Sequence, residues 1–295
     1  MTTSAVTACG LGKRYGRHWA LSDCTLSIPA GHVVGLVGPN GAGKSTFIGL
    51  MTGMLGPTTG SIEVLGGPAP NSLAQLARIG YVAQGTPVYG GLSVADHLRF
   101  GAHTNPGWEA ALAAQRIQDL GLDLRQKAGK LSGGQQAQLA LTLGLAKRPE
   151  LLILDEPIAS LDPLARHEFL QSLMAAIAER ELSIIMSSHL IGDLEQVCDY
   201  LVVLAGSRVV LDGPVDELLA CHHLVTGRRR DATSLPPGVQ VITQSHTDRQ
   251  STFLVRSTAP IIDATLAADP VDLEQLVLAY MGGAARTSPA LEAQR

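Results

Sequence analysis

The sequence predicts an α/β protein: a sheet with parallel strands covered by helices, a helical insert, and a small C-terminal α+β extension. Three observations carry that expectation. Compact apolar runs at His32–Val37, Leu151–Asp155 and Ser183–Ser188 have the length of buried strands. Helical stretches separate such runs, and alternation of this kind builds parallel sheets. Apolar residues make up 45% of the chain but aromatics only 4%, so the core must be Leu, Val, Ile and Ala, the composition of strands buried on both faces.

In chain order, HVVGLVG (His32 to Gly38) is a strand feeding a glycine loop, and TFIGLMTGML behind it reads as a buried helix. IGYVAQ is strand-like and closes at Gln84. Between Gln84 and Leu131 the pattern turns helical: Ser93 with Asp96 makes a capping-box signature, and WEAALAAQRIQDLG stops at Gly121. After LLILD, Asp162 is set to cap a helix that has Pro163 in its first turn and runs to about Glu181. YLVVLAGSRVVLDG reads as two strands joined in a hairpin at Ala205-Gly206-Ser207. Beyond Pro214 the composition loosens. TGRRRDATSLPPGV (Thr226 to Val239) reads as linker or exposed loop, VQVIT and TFLVR alternate as strands, VDLEQLVLAYMGG is helix-like, and Ala284 to Arg295 are expected to fray. The predicted division is residues 1–214 as the main domain, with its helical insert at 86–148, and 215–295 as a small accessory domain.

Composition excludes several functions. A formal net charge of −4 offers no global attraction to nucleic acid, and the only dense basic run, Arg228-Arg229-Arg230, reads as a solvated loop. No apolar stretch reaches the ~18 residues of a membrane-spanning helix. The opening MTTSAVTACGLGKRYG lacks a basic start followed by an apolar core, so a cytosolic location is expected. Cys9, Cys24, Cys198 and Cys221 have neither disulfide-framework nor zinc spacing and read as reduced thiols.

The chemistry lies in short motifs. In GPNGAGKST, the backbone N–H groups at Gly38, Gly41 and Gly43 can converge on phosphate oxygens, in a loop that Pro39, Asn40 and Ala42 complete. Lys44 adds a point charge, Ser45 and Thr46 open the following helix, and that helix directs its positive end at the anion. The Ser45 hydroxyl and Asp155, at the end of LLILD, are donors of the kind magnesium takes. Glu156 follows at once; neighbouring side chains diverge at a strand end, so one acid can serve a metal and the other polarise an attacking water. In LSGGQ, Ser132, Gly133, Gly134 and Gln135 begin a helix and make a second anion site as well as an ordinary cap. Taken singly, Gln84 is also a strand-end polar residue, His189 in SSH a locally bonded histidine, and Tyr15 in KRYG a core tyrosine.

These motifs, in this order between Leu11 and Asp212, resemble the nucleotide-binding subunit of an ABC transporter. The resemblance implies a P-loop NTPase fold of ABC ATPase type, with a mixed sheet flanked by helices and an inserted helical signature subdomain. It implies ATP and magnesium as ligands: Tyr15 on adenine, Gln84 at the metal and the water, His189 on the γ-phosphate, and Glu156 as the catalytic base. It further implies a head-to-tail dimer, of two copies or with a sibling ATPase, in which Ser132, Gly133, Gly134 and Gln135 of one subunit close over ATP on the other and Asp162 lies near the seam. A separate integral-membrane permease would be driven by that closure, facing the loop GTPVYGGL after Gln84 and holding the chain at the inner face of the cell membrane. Within the family the chain resembles ATPases of bacterial multidrug and antibiotic exporters, so efflux of a drug, antibiotic or lipid-like compound is expected. An importer ATPase and a soluble non-transport ATPase are the alternatives. One departure is Gln136-Ala137-Gln138, where many relatives carry a basic residue.

Overall fold

The computed structural model describes residues 4–85, 88–263 and 265–287. β1 (Ser4–Tyr15) and β2 (His18–Pro29) pair antiparallel, and β1 pairs on its other side with β4 (Thr59–Val64), which continues to the short β5 (Gly67–Pro68). This four-stranded sheet lies outside the sequence-based expectation. The register of β1 against β2 shifts at Ala8/Leu11 and again at Leu11/Lys13, so its side chains do not keep the strict alternation by which a strand is recognised.

The central sheet has the order β10-β9-β3-β8-β7-β6, formed by β3 (Val33–Val37), β6 (Ile79–Val82), β7 (Leu151–Asp155), β8 (Ser183–Ser188), β9 (Tyr200–Ala205) and β10 (Arg208–Pro214). Neighbours from β9 through β6 are parallel, and β10 returns antiparallel in the expected hairpin. Successive residues of each inner strand enter different cores. Leu36, Leu151, Ile153 and Ile185 pack with α1 (Lys44–Met51) and the antiparallel sheet. Leu152, Leu154, Ile184 and Met186 pack on the other side with α6 (Pro163–Ala178). Burial of both faces explains why these strands read as unbroken apolar runs.

Between β6 and β7 stand α3 (Val94–Thr104), α4 (Ala110–Asp119) and α5 (Gly133–Ala146), preceded by the short α2 (Leu73–Ala77). Val94, Ile117, Leu122, Ala128, Leu131 and Leu139 give these helices a small core of their own. Ser93 caps α3 with the expected reciprocal box to Asp96. Thr86 and Pro87, within the loop expected to face a membrane subunit, lie outside the described residues.

After α7 (Ile191–Glu195) and the β9–β10 hairpin, the C-terminal region runs α8 (Val215–Ala220), β11 (His222–Arg228), β12 (Gln240–His246), β13 (Gln250–Arg256), β14 (Leu266–Pro270) and α9 (Leu273–Thr287). Its sheet has the order β12-β13-β11-β14. Two expectations are corrected here. Thr226, Gly227 and Arg228 do not begin a linker; they complete β11, which is paired on both sides. Arg230 is not a solvated loop residue. Its guanidinium donates to Thr265 Oγ1 at 2.7 Å and pairs with Asp263 at 3.3 Å, while its N–H donates to Ser251 Oγ. In addition, α9 continues to Thr287, past the expected onset of fraying; residues 288–295 lie outside the described ones. Leu254 of β13 and Leu273, Leu276 and Val277 of α9 join the same core as Leu201, Val203 and Leu194, so the extension shares a core with the central sheet.

Candidate active site

β3 is buried along its whole length and ends at Val37, where the chain must reverse within a few residues to enter α1. A Cβ on Gly38 would lie 2.3 Å from the carbonyl oxygen of Leu204. Gly43, at φ 105°, would bring one within 2.4 Å of Ala20's oxygen. Only glycine lets the loop run this close to its neighbours. No side chain caps α1, so its first-turn N–H groups face outward as an anion site. Lys44 is 6% exposed, and its Nζ donates to Gly38 O at 2.7 Å, curling the ammonium inside the loop. Burial lowers its pKa, while the nearby Glu156 and Asp155 pull it back up.

The carboxyl ends of β7 and β8 set the acids. Asp155 is buried, and the Ser187 hydroxyl donates to its Oδ1 at 2.7 Å. The same hydroxyl accepts the N–H of Glu156 at 2.8 Å. Glu156 sits at φ 47°, left-handed backbone that a non-glycine residue holds only with support, and that hydrogen bond supplies it. The turn swings Glu156 away from Asp155. Its Oε2 lies 3.3 Å from His189 Nδ1 and 3.5 Å from Gln84 Nε2, and its Oε1 lies 3.9 Å from Lys44 Nζ. Three motifs far apart in sequence therefore meet on one carboxylate.

A cavity of about 690 Å³ opens here, walled by Gly38, Pro39, Asn40, Gly41, Gly43, Lys44, Ser45, Thr46, Gln84, Glu156 and His189. Ala42 and Asp155 are buried and stand outside that wall. Tyr15 stands outside it too: it ends β1, is 48% exposed and has Lys13 Nζ 5.5 Å from its ring centre. His18, its partner across the hairpin, and Ala20 do line the cavity, as does Met281 of α9.

The signature residues are elsewhere. Ser132, Gly134, Gln135 and Asp162 line a second cavity of about 270 Å³. Ser132 Oγ accepts the Gln135 N–H while Gln135 Oε1 accepts that of Ser132, a capping box that leaves the N–H groups of Gly133 and Gly134 pointing from the start of α5. Asp162 caps α6 through Leu164 and Ala165. In place of a basic residue, Gln136 donates its amide to Ala128 O and Leu131 O and secures the loop before the signature.

Sequence reasoning missed four residues. Ser187 was visible only as a strand-end hydroxyl; its position beside Asp155 follows from the pairing of β8 with β7. His18, Ala20 and Met281 carry no motif, and only the fold brings them to the cavity.

A model of the ABC transporter family matches residues 21–159. Nod factor export ATP-binding protein I of Rhizobium etli is 34% identical over 232 residues, spanning 75% of this chain and 73% of the relative. The chain belongs to the ABC transporter ATP-binding family. The protein of the same name from Neorhizobium galegae, Nod factor export ATP-binding protein I, is 33% identical over 262 residues, 85% of this ABC ATPase and 73% of the relative. Among solved structures, cbiO1 from Clostridium perfringens, part of the ABC transporter complex cbiONQ, superposes with a TM-score of 0.65 at 28% identity, covering 74% of this chain and 91% of that one. This ABC ATPase is thus an ATP-binding and ATP-hydrolysing transporter subunit with the P-loop NTPase fold.

Proposed function

We propose that this ABC ATPase works as an ATP-closed head-to-tail dimer, of two copies or with a sibling, that powers export through a separate integral-membrane permease. The observation that carries the reading is the separation of two phosphate-facing surfaces into different cavities. The loop Gly38–Thr46 is in one, and Ser132, Gly134 and Asp162 are in the other. A bound nucleotide bridging the two across subunits favours the closed state only through contacts absent from the open one, which turns binding into motion.

In this reading the loop amides and Lys44 hold the phosphates, Tyr15 stacks on adenine from the exposed hairpin, and His189 contacts the γ-phosphate. Glu156 takes the proton of the attacking water, which Gln84 helps to orient. The donor set fits magnesium: a hydroxyl (Ser45), a single carboxylate (Asp155) whose Oδ1 is already held by Ser187, and an amide (Gln84). All are hard oxygen donors that leave the ion room for water and phosphate. When bound, magnesium neutralises phosphate charge.

An apolar groove of about 360 Å³ between β6 and α5 is lined by Met54, Leu76, Tyr81, Ala83 and Leu143. Nearby, Tyr89 (63% exposed) and Phe100 (53% exposed) meet edge to face. Exposed aromatics beside the loop from Gln84 support this face as the permease contact. Among the described residues no helix is long and apolar enough to cross a membrane, so attachment to the inner membrane face is assigned to that contact. Residues 1–214 would then be the motor and 215–295 an accessory unit. The names of the relatives, Nod factor export proteins, support export; a drug, antibiotic or lipid-like compound is the cargo we propose. The test is isolation of tagged Glu156→Gln protein with ATP from detergent-solubilised native membranes. Recovery of a polytopic membrane protein is expected; ribosomes, DNA or no membrane protein would overturn the proposal.

A further inference from the structure

We infer that the C-terminal accessory unit acts directly on the ATP site: α9 sets Met281 into the wall of the phosphate cavity, where it is a positioning residue for the Glu156–His189 pair. The helix is anchored, not draped. Leu273, Leu276 and Val277 are 2%, 0% and 0% exposed in the core that also holds Leu201 and Val203 of β9. One residue before Met281, the Tyr280 hydroxyl is 2.9 Å from Nε2 of the fully buried His222. His222 Nδ1 lies 2.6 Å from Leu218 O and must donate to it, so Nε2 accepts from Tyr280. The two rings meet edge to face at 5.6 Å. Tyr280 is thereby fixed from two sides, and Met281 with it.

What Met281 faces follows from the fold. α9 packs on α7, the helix that begins at Ile191 just after His189, and Met281 lines the same cavity as His189 and Glu156. The His189–Glu156 contact of 3.3 Å joins a half-exposed imidazole to a carboxylate that is 13% exposed. Such a pair holds its geometry better where apolar mass limits competing water and alternative rotamers. A thioether side chain is suited to filling an irregular wall of this kind. Met281 needs no contact with ATP for this role; its effect passes through His189 and Glu156.

The inference rests on the cavity being the ATP site, and the experiment separates the two. Met281→Ala is compared with wild type and Met281→Leu by steady-state ATPase kinetics, by MANT-ATP titration and by thermal unfolding. The expected result is a fall in kcat of about tenfold, MANT-ATP affinity within about twofold of wild type, an unfolding temperature that drops, since Met281 packs on the core, but stays above the assay temperature, and recovery of kcat in Met281→Leu. Tyr280→Phe should fall between wild type and Met281→Ala. Because a truncated side chain can loosen the helix, a Met281→Cys variant in a Cys9→Ser, Cys221→Ser background is alkylated with N-ethylmaleimide, and MgATP, by filling the cavity that residue 281 lines, is expected to slow the reaction. Wild-type kcat in Met281→Ala, unfolding of Met281→Ala at the assay temperature, failure of Leu to rescue, or alkylation indifferent to MgATP would each overturn the role of Met281. Failure of the wild-type protein to bind MANT-ATP would instead remove the ATP-site assignment.

Discussion

At the carboxyl ends of β3, β7 and β8 the chain concentrates charge in a place that water reaches poorly: Lys44 and Asp155 are 6% and 4% exposed, and Glu156 gathers Lys44, Gln84 and His189 around it. At the start of α5 the signature has no buried charge and meets its own needs through the Ser132–Gln135 box. Buried ionic groups are costly unless scaffolded by packing and hydrogen bonds, and the central sheet provides that scaffold. A capped helix start costs nothing to keep in solvent. In the proposed dimer the first surface serves chemistry and the second recognition, so a single chain would be stable while only the pair completes the site.

The most severe way to break that contrast is Glu156→Gln. Hydrolysis should fall by ~10²–10⁴-fold while MANT-ATP still binds, as read by phosphate release and fluorescence titration; undiminished turnover would remove Glu156 from the reaction. Next is Ser132→Glu, which places a charge where the second surface would meet phosphate. A loss of hydrolysis of roughly a hundredfold is expected, with MANT-ATP affinity of the monomer unchanged. Equal loss of both would mean that the two surfaces act within one chain. Ser187→Ala tests the scaffold. It leaves Asp155 Oδ1 and the Glu156 N–H without their shared partner, so stability should drop by about 1–3 kcal/mol and kcat by about tenfold, followed by denaturant titration and kinetics. Thermodynamic loss without kinetic loss would mean that Ser187 serves folding alone.

The smallest effect belongs to the capping box at α3, the same device as the signature box but without phosphate to recognise. Hydrogen bonds from Ser93 hold the Asp96 carboxyl at about 2, below its ordinary 3.8. A folded-state pKa below the unfolded one contributes stability that is present above pH 3.8 and lost as pH falls through about 2. Asp96→Asn should flatten that part of an acid-unfolding curve followed by circular dichroism and leave ATPase activity at neutral pH intact.

Much of the motor was legible. The strands at Val33, Leu151 and Ser183 are apolar because both faces of the sheet are covered, and the caps at Ser93, Ser132 and Asp162 announce themselves in local spacing. β1 was illegible because its register shifts break alternation. β11 was hidden because a strand held on both sides by backbone pairing can carry His, Thr, Gly and Arg without an apolar pattern. Arg230 read as solvent-facing because Asp263 and Thr265, which hold it, are distant in sequence.

The sequence by itself determined which residues carry chemistry suited to phosphate, metal and water, since that chemistry depends on residue type and on spacing within a loop or a helix turn. Only the tertiary structure decided that the glycine loop and the signature residues lie in separate cavities, that Ser187 ties Asp155 to Glu156, and that Met281 lines the cavity of the glycine loop. Those relations are distances between segments that no local pattern connects, and they exist only once strands have paired and helices have packed.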